Sequence, residues 1–133
     1  MSDRAQEGTF VSATNKKVRE HCVAASEVVA LIRDKWTILV LGALTRESPL
    51  RYNELQRAVA GISQRMLTLT LKPLEENGLV TRTVFPTTPP RVDYAITPLG
   101  LTLGEPLRGL LAWSMKHRDE MADARATYAK RRT

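Results

Sequence analysis

The chain has 133 residues, of which 43% are hydrophobic, 26% charged and only 5% aromatic. That fits one soluble domain with a core of Leu, Val, Ile and Ala, and no apolar run approaches the ~18 residues of a membrane span. Twenty Lys and Arg against fourteen Asp and Glu give a net charge of +6 and a pI near 9.9, a balance suited to a polyanion or to a basic solvated surface.

The opening segment, residues 1–16, mixes both charges, contains Gly8 and lacks the apolar stretch of a signal peptide, so it is expected to be a flexible tail of a cytoplasmic protein. A single cysteine, Cys22, excludes an intramolecular disulfide and fits a reducing compartment. The folded domain is expected over residues 17–116. Its first helix starts near Lys17 and ends around Arg33-Asp34, with Cys22, Val23, Ser26, Val29, Ala30 and Ile32 near helical spacing. A second runs from Lys35 to about Leu44 on Trp36, Leu39, Val40 and Ala43, and Pro49 follows as a stop. A third spans Arg51 to Ala60, and Gly61 ends it in a sharp turn.

Ser63 then caps a fourth helix that reaches Asn77-Gly78. Leu67, Leu71 and Leu74 form its buried stripe, and Gln64, Arg65, Thr68 and Lys72 face away. Pro73 predicts a kink or a loosened turn. Leu79–Phe85 and Val92–Thr97 read as strands joined by the tip Pro86-Thr87-Thr88-Pro89-Pro90-Arg91. Thr97-Pro98 opens a last helix with the apolar stripe Leu103, Leu107, Leu110, Leu111, Ser114 and Met115, with Trp113 beside it. Residues 117–133 form a charged helix end or tail.

Helix, helix, glycine turn, helix and hairpin make a winged helix-turn-helix, a mainly α fold with a small β-hairpin wing. Its fourth helix would enter a DNA major groove, where Arg suits guanine and Gln suits adenine. Gln64, Arg65 and Thr68 are the base-facing candidates, and Lys72 is placed on phosphate. Ser63 adds its backbone N–H at the helix start. Arg51 is a backbone-contact candidate or a partner of Glu54 or Glu47. Arg91, at a tip stiffened by Pro89 and Pro90, is the cation for the adjacent minor groove. The competing reading is a small domain with a decorative hairpin and a solvated helix face. A winged helix used as a protein-interaction module would bind its partner with little response to salt.

Several stretches are similar to the HxlR family of bacterial transcription regulators: Lys35-Trp36-Thr37, Leu50-Arg51-Tyr52-Asn53-Glu54-Leu55, Gly61-Ile62-Ser63-Gln64-Arg65-Met66-Leu67, Leu74-Glu75-Glu76-Asn77-Gly78-Leu79-Val80-Thr81-Arg82, Pro89-Pro90-Arg91-Val92-Asp93-Tyr94 and Thr97-Pro98-Leu99-Gly100, with Cys22 and Trp113 outside them. The resemblance covers about residues 21–116, in order and with matching spacing. Arg33-Asp34 stands where the family commonly has two glycines, and Pro73 where it more often has a polar or charged residue. The resemblance implies a homodimer joined through its terminal helices that binds double-stranded DNA at a near-palindromic operator. It also implies control by an electrophile, an oxidant or a small ligand. Repression is the expected mode, since a small one-domain regulator can act by blocking polymerase.

Within that frame Leu103, Leu107, Leu110, Leu111, Trp113 and Ser114 are expected at the dimer interface, against the alternative that the stripe folds onto its own core. Cys22, placed near the start of the first helix and beside Lys17, Arg19 and His21, is the redox-sensor candidate, because a helix N-terminus favours thiolate. The alternative is a small buried core residue. His21 and His117 are too few and too far apart for a zinc site. No spacing points to a metal, a cofactor or a catalytic set, so an enzyme is not expected.

Overall fold

The computed structural model describes the backbone of residues 2–132 and the side chains of residues 15–132. The elements in order are α1 (Ser2–Ile32), α2 (Lys35–Arg46), β1 (Leu50–Arg51), α3 (Tyr52–Ala58), α4 (Gln64–Glu76), β2 (Val80–Phe85), β3 (Arg91–Ile96) and α5 (Pro98–Arg132).

The first helix begins at Ser2, not near Lys17, so the segment expected to be a flexible tail is helical from Ser2 onward. The run from Ser2 to Ile32 contains no proline and one glycine, Gly8. A lone glycine costs a helix only about 1 kcal/mol and does not have to interrupt it. The chain breaks at Arg33-Asp34, where Asp34 Oδ1 accepts the Trp36 backbone N–H at 2.9 Å and caps α2. The two residues that stand in place of glycines thus serve as a stop and a cap. α2 runs two residues past Leu44, to Arg46.

A short strand was not anticipated. Leu50 and Arg51 form β1, which pairs antiparallel with β3 in the register Leu50↔Tyr94 and Arg51↔Asp93. The sheet therefore has three strands in the order β1-β3-β2, and the third helix starts at Tyr52 instead of Arg51. The hairpin itself lies close to its expected place, with Val80↔Ile96 at its base and Phe85↔Arg91 at its tip.

The core gathers Val40, Leu41 and Leu44 of α2, Leu55 of α3, Leu67, Leu71 and Leu74 of α4, Leu50, Val80 and Tyr94 of the sheet, and Leu107 of α5. Burying each leucine contributes about 1.5–3 kcal/mol. The stripe on α4 therefore fixes which face of that helix points outward. α4 continues through Pro73 to Glu76, and Asn77 closes it by donating from its side chain to the Pro73 carbonyl at 2.8 Å. Because the proline lies in the last turn, only one hydrogen bond near the helix end is lost.

Thr97 holds the start of α5 against the hairpin. Its hydroxyl donates to the Gly78 carbonyl at 2.6 Å and accepts the Gly100 N–H at 3.0 Å. α5 then runs unbroken through the charged segment to Arg132. Among the described residues no helix is long and apolar enough to cross a membrane.

Candidate nucleic-acid interface

The α3–α4 turn depends on Gly61, whose φ of 87° lies in the left-handed region that suits glycine. Gln56 donates across the turn to the Ile62 carbonyl at 3.3 Å. Ser63 caps α4 as expected, its Oγ accepting the Met66 N–H at 3.1 Å. Leu67, Leu71 and Leu74 are buried, while Gln64, Arg65, Thr68 and Lys72 are exposed, with Arg65 and Lys72 opposite the leucine stripe and Gln64 at its edge in the first turn.

Tyr52 ties α3 to this helix. Its hydroxyl donates to the Gln64 carbonyl at 2.8 Å and lies 2.9 Å from Thr68 Oγ1. A phenol has one proton, so with that proton on Gln64 the Thr68 hydroxyl must donate to the phenol oxygen. Thr68 then offers a ligand only its methyl group and an acceptor lone pair.

Arg51 is exposed at the junction of β1 and α3. Its backbone N–H donates to Glu54 Oε1 at 3.0 Å, and its guanidinium lies 3.9 Å from the same oxygen. Of its two anticipated partners, the pairing is with Glu54.

Arg91 is less free than the sequence suggested. Its Nε and an NH₂ group donate to the two carboxylate oxygens of Asp93, each at 2.9 Å, and its guanidinium stacks 5.1 Å from the Phe85 ring centre. Asp93 is 9% exposed at its side chain and Arg91 42%. The hydrogen bond holds the Arg91 guanidinium above its ordinary value and the Asp93 carboxyl below its own, with the neighbouring charges adding in the same directions. Arg91 faces solvent with one edge committed.

Two neighbouring grooves open beside these residues. One, of about 590 Å³, lies between Arg51, Tyr52 and Asn53 and the wing segment 87–92. The other, of about 480 Å³, is lined by Arg51, Asn53, Glu54, Arg57 and Arg91. Three arginines facing one groove suit a phosphate backbone. Arg57 was missed by sequence reasoning, although its spacing of four from Asn53 places both on the polar side of α3. Leu69, on the exposed side of α4, was missed too.

The terminal helices divide the expected interface residues. Leu107 is buried in the domain's own core and Leu103 packs against it, so these two follow the fold-back alternative. Leu110, Leu111 and Trp113 are exposed, and half-buried Ser114 donates to the Leu110 carbonyl at 2.8 Å. Cys22 is exposed on α1. It is not near the start of that helix, which begins at Ser2, and the dipole acts only within the first turn, so the expected thiolate-favouring helix end does not apply. Its exposure also removes the core-packing alternative within one chain. Among the described residues no group of three His, Cys, Asp or Glu could hold a metal ion.

Comparison with known proteins gives a consistent picture. The family model described as HxlR-like helix-turn-helix matches residues 31–122. The chain is 37% identical over 94 residues to the uncharacterized HTH-type transcriptional regulator YtfH of Escherichia coli, covering 71% of this chain and 73% of that one. Its fold is similar to the reduced form of the transcriptional regulator YodB from Bacillus subtilis, with a TM-score of 0.60 and 34% identity over 67% of this chain and 86% of that one. It is also similar to the redox regulator HypR in its reduced form, with a TM-score of 0.62 and 34% identity over 75% of this chain and 98% of that one. Cys22 lies ahead of the span that the family model matches.

Proposed function

Because the chain belongs to the HxlR-like helix-turn-helix family, and is therefore a transcriptional regulator of the winged-helix type and not an enzyme, we propose that it acts as a homodimeric repressor on a near-palindromic operator. The outward face of α4 carries this reading: Gln64, Arg65 and Lys72 are exposed over a stripe of buried leucines, and the domain also carries a groove lined by Arg51, Arg57 and Arg91. Gln64 and Arg65 read base edges, and Lys72, Arg51 and Arg57 neutralise phosphates. Pairing through the terminal helices is supported by the apolar residues left bare on them, among them Val23 and Val29 of α1 and Leu110, Leu111 and Trp113 of α5.

The signal in this reading is oxidation at Cys22. Two features support it: the thiol is exposed, and the similar structures include a protein named as a redox regulator. With one cysteine per chain, a disulfide must join two chains, each thiol giving up one hydrogen to the oxidant. A second reading rests on a cleft of about 280 Å³ between α2 and α5, where Ile38, Leu41, Leu107 and Leu111 make an apolar wall beside Arg46 and Arg108. That cleft suits a small apolar ligand with an anionic group.

Fluorescence anisotropy on DNA from upstream of the protein's own gene tests these readings, comparing reduced with diamide-treated protein. Tight binding when reduced, release when oxidised and loss of that response in Cys22→Ser support the thiol reading. Equal binding by both forms moves the signal to the α2–α5 cleft. Flat affinity across shuffled sequences removes the operator reading altogether.

A further inference from the structure

α4 carries four leucines, and three of them, Leu67, Leu71 and Leu74, are almost wholly buried. The fourth, Leu69, is 56% exposed. At ~100° per residue it stands about 40° round the helix from Arg65 and about 60° from Lys72. Both cations lie on the same side of it and within about 20° of each other, Arg65 one turn before and Lys72 one turn after, so Leu69 is an apolar side chain flanked along the helix axis by two cations on one exposed face. A single exposed leucine is ordinary on a protein surface; its place on this face is what matters. A second copy of the chain docked there would bring another Arg65 and Lys72 against the first pair, whereas a polyanion matches both charges.

We propose that Leu69 reads the 5-methyl group of thymine in the major groove and is a specificity-determining residue of α4, an assignment that rests on the DNA-binding reading above. The polar side chains of α4 suit the two purines and the phosphate backbone. Arg65 matches the acceptors of guanine, Gln64 matches adenine and Lys72 reaches phosphate. Thr68 has its hydroxyl proton committed to Tyr52. Thymine differs from every other unmodified base by its methyl group, and an apolar contact is what distinguishes it.

A major-groove methyl group comes from thymine or from 5-methylcytosine, and the test separates them. The full-length protein is used to select a site from a random-sequence duplex library. Each thymine of that site is then replaced by deoxyuridine, and separately each cytosine by 5-methylcytosine, and affinities are read by anisotropy for wild type and for Leu69→Ala. Leu69 is 56% exposed and lies outside the buried core cluster, so Leu69→Ala should melt close to the wild-type temperature. The expected result is one thymine per half-site whose methyl loss weakens wild type about fourfold, the worth of one buried methyl, and leaves Leu69→Ala unchanged. Deoxyuridine effects that are absent, or equal in both proteins, overturn the assignment. A Leu69-dependent response confined to 5-methylcytosine also overturns it. Failure to select any site removes the DNA-binding reading itself, a result distinct from a selected site that ignores methyl groups.

Discussion

The Tyr52 hydroxyl bridges two helices: it donates to the Gln64 backbone and receives the proton of Thr68, one turn further along α4. This fixes the angle and register at which α4 leaves α3. It also removes one hydroxyl from the set available to a ligand. Tyr52→Phe keeps the ring that packs 6.3 Å from Tyr94 and deletes only the bridge. Two modest hydrogen bonds are lost, so stability should fall by about 1–2 kcal/mol in urea denaturation. An unchanged midpoint would show that the bridge does not hold the helices.

Gly100 gives a sharper packing test. A Cβ there would collide with the Leu79 carbonyl oxygen and lie 2.7 Å from Ile96 Cγ1. In a helix, alanine is favoured over glycine by about 1 kcal/mol. The clash is with backbone, which cannot rotate aside, so overpacking at about 1–3 kcal/mol outweighs that gain. Gly100→Ala should therefore lower the melting temperature, where helix propensity alone predicts a rise.

Asp93 links stability to pH. Arg91 holds its carboxyl below the ordinary carboxylate value. A depressed folded value means that the stabilisation is fully present above the unfolded carboxylate value and is lost as pH falls through the folded one. Asp93→Asn should remove that part of the acid limb, so wild type and variant begin to converge in stability near pH ~4 and finish converging only below the depressed folded value. It also frees Arg91 at the wing. If the two proteins keep a constant difference in stability down through the acid range, the ion pair is not its source.

Much of this was legible in the sequence because it is local. The spacing of Leu67, Leu71 and Leu74 names the inward face of α4, and with it the outward Gln64, Arg65, Thr68 and Lys72. Ser63 and Thr97 act as caps through hydrogen bonds a few residues away. What escaped is set by distant partners. Two residues, Leu50 and Arg51, have no periodicity to detect and become a strand only because β3 lies beside them. The commitment of Arg91 to Asp93 follows from both lying on one face of a strand, where residues two apart are neighbours. On α5 the stripe gives a direction but not its cover, so Leu107 enters the core while Leu110 and Leu111 remain bare. The place of Cys22 within its helix depends on where that helix starts, and the polar opening segment gave no marker for it.

Lys72 and Arg65 should separate affinity from specificity. Lys72→Ala is expected to weaken binding equally on all sequences and to lower the salt slope by about 1, the signature of one lost phosphate contact. Anisotropy titrations across a salt series check this; a loss confined to one sequence would place Lys72 on a base instead.

The most direct measurement is the affinity of wild type and Arg65→Ala for a selected site and for a shuffled duplex of the same composition, at fixed salt. If α4 reads DNA, wild type strongly prefers the site, and Arg65→Ala loses about 1–3 kcal/mol on it while its shuffled-duplex affinity changes little. Equal wild-type affinity for both duplexes, or an Arg65→Ala variant that binds the site as wild type does, contradicts a base-reading role for this helix.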